Sequence, residues 1–214
     1  MKFASVVLDV DSTLCGVEGI DWLAQQRGGD IAERTRALTD RAMDGEITLD
    51  AVYGERLALI RPNRDDIEAL ARIYRQTIAP GAADAIRQLI GQRTQVVLVS
   101  GGIRQAIAPL ARELGVPVQA VDLHFDPSGA FAGFDHASLL ATQMGKREVV
   151  RSLSLPRPIL AVGDGSTDVA MKDAVDRFVA FTGFHKRAQV VQQAAGEVAT
   201  FGELLQLVRG DRAR

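Results

Sequence analysis

The sequence predicts an α/β fold: a Rossmann-like parallel sheet core with a small helical cap inserted after the first strand. Three observations carry this. Four short apolar runs, at residues 3–8, 96–99, 159–162 and 178–181, are each bounded by polar or turn-forming residues, as suits strands buried on both faces. Helical periodicity separates the later runs, and strand alternating with helix is the pattern of a parallel sheet. Residues 16–76 break that alternation, with helical spacing and no strand-like run. The chain's 214 residues would cover one domain of about 150 plus a smaller insert.

In order along the chain, the first run leads into Asp9-Val10-Asp11-Ser12-Thr13. The insert then shows four helical faces. Ile20, Leu23 and Ala24 form the first, and Ile31, Thr35, Leu38 and Ala42 the second. Val52, Arg56, Leu57 and Ile60 form the third, and Ile67, Leu70, Ala71 and Tyr74 the fourth. Asn63, after Pro62, is placed to cap the last of these helices. Pro80-Gly81 marks the return to the sheet, which gives core segments 1–15 and 77–214 around a cap at 16–76. An insert at this point can cover the sheet end where open α/β folds keep their sites. Farther on, Ala85, Ile86, Leu89 and Ile90 share a helix face, as do Ile107, Leu110, Ala111 and Leu114. Pro109 falls inside the second pattern, where a helix can kink or break. Asp126-Pro127-Ser128-Gly129 reads as a hairpin turn between strands at 121–125 and 130–134.

Composition narrows the setting. Apolar residues make up 47% and charged residues 24%, as in a globular chain and unlike a disordered one. Lys and Arg number 25 against 27 Asp and Glu, a net charge of −2, which argues against nucleic-acid binding by bulk charge. A single cysteine, Cys15, excludes an internal disulfide framework. No signal-peptide pattern opens the sequence and no apolar run approaches a membrane span. The expectation is a cytoplasmic protein with neither a nucleic-acid nor a membrane partner.

Three strands run into polar residues: Asp9 to Thr13, Ser100-Gly101-Gly102, and Gly163-Asp164-Gly165-Ser166-Thr167-Asp168. Singly, such residues commonly form turns and caps, and Ser100 could simply cap a helix from Ile103. Together they say more. A parallel sheet gathers its strand ends, so Asp9, Asp11, Asp164 and Asp168 would share one crevice, repel one another and raise their own pKa values unless a cation compensates them. Oxygen donors without thiols or clustered histidines suit Mg²⁺, and His124, His136 and His185 have no zinc-site spacing. Ser100 and the amides of Gly101 and Gly102, at a helix start, could cradle an anion. Lys146 could add a fixed positive charge. The set reads as a phosphate site.

These motifs, in this order, resemble the four motifs of the haloacid dehalogenase superfamily, and within it the phosphoserine phosphatase family. Glu18-Gly19-Ile20-Asp21, Arg41-Ala42-Met43, Arg56-Leu57-Ala58-Leu59-Ile60 and Gly133-Phe134-Asp135 extend the likeness over nearly the whole chain. The resemblance implies an enzyme hydrolysing L-phosphoserine to serine and phosphate. Asp9 would be the nucleophile, forming an aspartyl-phosphate. Mg²⁺ would be held by Asp9, Asp164 and the main-chain carbonyl of Asp11, with Asp168 supporting the metal or orienting Lys146. The Asp11 side chain would then transfer protons, while Ser100 and Lys146 hold the phosphoryl oxygens. Ser12 and Thr13 would be turn residues.

For the substrate, the resemblance sets Glu18 against the ammonium and Arg56 against the carboxylate, which an arginine fork can bind through two hydrogen bonds. Met43 would line the pocket, and Thr167 and Arg187 would lie near the phosphate. Leu49 stands where the family often has phenylalanine, so a looser pocket is expected. Asp122-Leu123-His124 replaces a common Asn-Arg pair, and Gln143-Met144 precedes Gly145-Lys146, unlike many relatives. Two other readings keep the phosphate site: a phosphatase or phosphotransferase for another small phosphomonoester, and a noncatalytic sensor. Intact Asp9, Asp11, Lys146 and Asp164 argue against the sensor. The expected partner is a small phosphomonoester, and the expected assembly a monomer or homodimer.

Overall fold

The computed structural model describes residues 2–44 and 46–210, apart from the side chains of Met43 and Ala51. Strand β1 (Ser5–Leu8) is buried throughout, with Val6, Val7 and Leu8 wholly inaccessible. Four helices follow: α1 (Gly19–Arg27), α2 (Gly29–Met43), α3 (Leu49–Ile60) and α4 (Arg64–Gln76). Asn63 caps α4 as expected. Its side chain accepts from the Asp66 amide at 2.9 Å, and Asp66 accepts from the Asn63 amide at 2.8 Å, so two otherwise orphaned donors are satisfied reciprocally. Helix α5 (Ala82–Gly91) leads to β2 (Gln95–Ile103), and α6 (Arg104–Leu114) to β3 (Val118–Val121). The hairpin β4 (Leu123–Phe125) and β5 (Phe131–Phe134) comes next. Helix α7 (Gly145–Ser152), β6 (Ile159–Gly163), α8 (Ser166–Val169), β7 (Arg177–Phe181), α9 (Ala188–Gln193), β8 (Glu197–Val198) and α10 (Phe201–Arg209) complete the chain.

The sheet runs β3-β2-β1-β6-β7-β8, parallel at every pairing. The chain moves outward from β1 through β2 to β3, then crosses to β6 on the other side of β1. That reversal opens a crevice at the carboxyl end of β1, where α/β sheets bind ligands. Register fixes what meets there. Leu8 pairs with Leu98 on one side and Val162 on the other, so Asp9, Ser100 and Asp164, one or two residues on, emerge side by side.

Helices α1 to α4 are tied to this end of the sheet. The Gly16 amide bonds the Thr77 carbonyl and the Ala79 amide bonds the Leu14 carbonyl, both at 2.8 Å, so the segments entering and leaving the four helices are joined. On the far side, Gln143 accepts from the Leu49 amide and donates to Ser166 Oγ, and Ser166 Oγ donates to the Ala42 carbonyl. Gln143, read from sequence only as a departure from relatives, thus bridges the helical segment to the sheet end.

Two expectations are corrected, and one open alternative is resolved. Val121 does not begin the hairpin; it ends β3, buried and paired with Ile103, because its apolar side chain is worth more in the main sheet than on a half-exposed ribbon. Helix α6 runs unbroken through Pro109. The ring removes a bond to the Gln105 carbonyl, but burial of Ala106, Ile107, Leu110 and Ala111 holds the helix. Gly101 and Gly102 are not at a helix start: β2 continues to Ile103, with its pairing to β3 interrupted between Val99 and Ile103. The interruption frees this stretch of backbone from the ladder. No described helix is long and apolar enough to cross a membrane.

Candidate active site

The ladder carries Asp9 into place, its amide bonded to the Val162 carbonyl at 3.0 Å. Asp9 and Asp168 are buried, and between them lies Lys146, delivered by the first turn of α7. Its Nζ donates to Asp9 Oδ1 at 2.6 Å and Asp168 Oδ1 at 2.7 Å. Burial alone would pull this ammonium down, but Asp168 and Asp9 together hold it above its ordinary range. Burial pushes the Asp9 carboxyl well up, and Asp168 and Asp164 add to that against the opposing Lys146. Burial, then Asp168, likewise lifts Asp164 to about 6. Gly163 makes this closeness possible, because a Cβ there would lie 2.1 Å from Asp168 Cγ.

Asp9, Asp164 and Asp168 each offer an oxygen within 4.8 Å of the others. An all-oxygen set of buried carboxylates, only partly neutralised by Lys146 and Arg187, suits a hard divalent cation. The Asp11 side chain stands apart from this cluster. Its Oδ1 accepts from the Gly19 amide at 2.7 Å and the Tyr74 hydroxyl at 2.8 Å, while Oδ2 accepts from Ser100 Oγ at 3.2 Å. Gly19 is required here too, since a Cβ would lie 2.2 Å from the Tyr74 hydroxyl oxygen. Ser100 does not cap a helix; its Oγ accepts from the Gly102 amide at 2.9 Å.

These residues form the floor of a narrow cavity of about 50 Å³, lined by Asp9, Asp11, Ser100, Gly101, Gly102, Lys146, Asp164 and Thr167 from the sheet end. Its roof comes from the helical segment: Glu18, Gly19, Ile20 and Asp21, and on α3 Leu49, Tyr53 and Arg56. Arg56 is 3% exposed. Its Nη1 donates to Thr39 Oγ1 at 2.7 Å, and Thr39 donates to Asp21 Oδ1 at 2.6 Å. Glu18 accepts from Ser12 Oγ at 2.6 Å. Burial, with Asp11 and Asp164 adding to it, holds Glu18 well above the usual carboxylate range. This end of the cavity is therefore rich in carboxylates apart from one buried guanidinium. Arg187 does not line the cavity; it approaches Asp164 from behind at 3.3 Å and reaches Asp44 at 3.4 Å. The Met43 side chain lies outside the described residues.

Asp9 and Asp164 stand at adjacent strand ends, and Lys146 joins Asp9 to Asp168 of α8 beneath a helical roof. The haloacid dehalogenase-like hydrolase family model matches residues 6–172. The chain belongs to the haloacid dehalogenase-like hydrolases. Human phosphoserine phosphatase is 35% identical over 207 residues, spanning 94% of this chain and 91% of that protein. The chloroplastic phosphoserine phosphatase of Arabidopsis thaliana is 32% identical over 209 residues, spanning 94% and 70%. A solved phospho-aspartyl intermediate analogue of phosphoserine phosphatase is 25% identical with a TM-score of 0.84, covering 97% of this chain and 100% of that one. A phosphoserine phosphohydrolase-like protein from Francisella tularensis, 22% identical over 97% and 100%, shares the fold with a TM-score of 0.87.

Several site residues of this haloacid dehalogenase-like hydrolase escape sequence reasoning. Tyr74 counts as a core position on α4, and its ring is indeed wholly buried; only the fold reveals that its hydroxyl reaches Asp11. Thr13, read as a turn residue, also donates to Asp164 Oδ1 at 3.1 Å. Thr39 carried no signal. Tyr53 carried one, being three residues before Arg56 and so on the same helix face.

Asp21 has a measurable consequence. Burial lifts its carboxyl to about 6, against the Thr39 hydrogen bond and the Arg56 charge. An unfolded Asp titrates near ~3.9, so between the two values the folded state keeps a proton the unfolded state has lost. This contribution favours folding at low pH and is withdrawn as pH rises through 6. In Asp21→Asn it is absent. The variant's melting temperature relative to the parent should therefore rise from about pH 4 to pH 7; an offset that does not vary with pH contradicts the assignment.

Proposed function

We propose that the chain is a Mg²⁺-dependent phosphomonoesterase that hydrolyses L-phosphoserine to L-serine and phosphate through an aspartyl-phosphate on Asp9. In this reading residues 16–76 act as a cap on a catalytic core of 1–15 and 77–214, in the reducing cytoplasm that the free thiol of Cys15 suits. The observation that carries the reading is the polarity of the cavity from end to end. The sheet end supplies Asp9, Lys146 and Ser100 to its lining, and the helical segment supplies Glu18 and the buried Arg56. L-Phosphoserine has the matching order of phosphate, then ammonium and carboxylate. The names and extent of similarity of the human and Arabidopsis relatives support the same substrate.

Asp9 attacks phosphorus as the ester P–O bond breaks, and Asp11 gives a proton to the departing serine oxygen. Asp11 then takes a proton from water, which attacks the phosphoaspartate, releasing phosphate and restoring both carboxyl groups. Tyr74 and the Gly19 amide fix Asp11 Oδ1, which leaves Oδ2, beside Ser100, to carry the proton. Lys146 offsets the negative charge gathered around Asp9, and Ser100 faces the phosphoryl oxygens, with Gly101 and Gly102 lining the same wall. Thr167 lines this end, and Arg187 steadies Asp164 rather than touching phosphate. Mg²⁺ would be held by Asp9, Asp164 and the Asp11 carbonyl, with Asp168 adjoining. When bound it supplies positive charge where two anions must meet.

Phosphate release measured over phosphoserine, phosphothreonine, phosphohomoserine, phosphoethanolamine and sugar phosphates tests this reading. Phosphoserine should be preferred, and Arg56→Ala should lower its kcat/KM by about 100-fold. Equal rates across the set, or selectivity unchanged in Arg56→Ala, would remove the serine reading while leaving a phosphatase; release from none would remove both.

A further inference from the structure

Two buried polar atoms on the cavity wall have no hydrogen-bond partner among the described residues: Tyr53 Oη and Arg56 Nε. Both side chains are nearly inaccessible, at 1% and 3%. Folded proteins pair almost all such atoms, and an orphan in a cleft marks a place where something else completes the pairing. The two residues sit three apart on α3, with the Arg56 guanidinium carbon 5.8 Å from the Tyr53 ring centroid. Phe134 of β5 meets the same ring edge-on at 5.3 Å and 62°, so the phenol is held in place without any bond to its hydroxyl. Burial keeps that phenol protonated, hence a donor; Arg56 and Asp11 lie close enough to act on it in opposite senses.

We propose that the Tyr53 hydroxyl is a second donor to the substrate carboxylate, beside Arg56 Nε, and a specificity-determining residue of this site. The inference rests on the carboxylate reading for Arg56. Of the three polar parts of an amino-acid phosphate, only the carboxylate fits. The phosphoryl group is claimed at the other end by Lys146 and Ser100. The ammonium is kept from this corner by the Arg56 charge and drawn to Glu18. A carboxylate has lone pairs enough to accept from both donors at once, and a site built to pair a polar group discriminates strongly against a substrate lacking it.

The test is Tyr53→Phe, assayed with L-phosphoserine and with phosphoethanolamine, which keeps the phosphate and ammonium and lacks the carboxylate. With phosphoserine, kcat/KM should fall about ten- to hundredfold, mainly through KM. With phosphoethanolamine it should stay within about twofold. The melting temperature should not fall, because the hydroxyl has no partner to lose in the free protein. Equal losses on both substrates, or none on either, overturn the proposal. Parent enzyme and Arg56→Ala run alongside separate the two claims. Should the parent not prefer phosphoserine, or Arg56→Ala keep that preference, the carboxylate reading fails and takes Tyr53 with it. Should Arg56 matter while Tyr53→Phe retains full selectivity, Tyr53 alone is excluded.

Discussion

Asp9→Asn is expected to lose at least about 10⁴-fold in kcat while remaining folded. The amide is nearly the same shape as the carboxylate but has no nucleophilic charge, so no phosphoryl group can be taken up at that position. Stability should change little. Asp9 is buried among Asp168, Asp164 and Asp11, which together with burial make its ionisation costly, and the substitution removes that cost along with one bond to Lys146. Circular dichroism and a melting curve in metal-free buffer check the fold, and phosphate release checks the activity. Substantial residual turnover would exclude Asp9 as nucleophile.

The second large effect is expected at Lys146. Its ammonium is the shared partner of Asp9 and Asp168, all three side chains being 7% exposed or less. Lys146→Met keeps the aliphatic stem and removes the charge, leaving two buried carboxylates facing each other. Breaking a buried ion pair from one side costs roughly 3–5 kcal/mol, or a fall of roughly 6–20 °C in melting temperature for a chain of this size. Two treatments should restore part of the loss. A divalent cation would neutralise the carboxylates, and acidification would protonate Asp9, whose carboxyl burial already pushes up. Activity should fall about 10³-fold even when the metal is saturating, since phosphoryl charge loses a fixed partner. An unchanged melting temperature would mean that Lys146 is not the partner the geometry shows.

The main sheet was largely legible because its central strands are buried on both faces and so read as unbroken apolar runs. Strands β1, β2, β6 and β7 all carry that signature. Strand β3 does not: Val118 and Gln119 are half-exposed, and the run follows Pro117. Strand β8 is two residues long, too short for any period. Helices α1 to α4 were legible from their apolar spacing, and the Asn63 cap from its place after Pro62.

At the site, the gathering of Asp9, Asp11, Ser100 and Asp164 follows from topology, because parallel strands deliver their ends together. Lys146 could not be placed that way. A lone lysine is ordinarily solvated, and its burial depends on where α7 docks. Tyr74 was hidden for the opposite reason. It occupies an apolar helix face, so spacing marks it as core, and only tertiary packing shows where its hydroxyl ends. Thr39 of α2 links Arg56 of α3 to Asp21 of α1, a relation across three helices that no local pattern encodes.

Turnover through Asp9 requires a covalent phosphoryl group on that one carboxylate. This is tested most directly by acid-quenching the Mg²⁺-loaded enzyme during turnover of L-phosphoserine and mapping the modified peptide by mass spectrometry. One phosphoryl group is expected on the peptide containing Asp9, formed in the parent and absent from Asp9→Asn. A phosphoryl group on another residue, or trapping in Asp9→Asn equal to the parent, would contradict it.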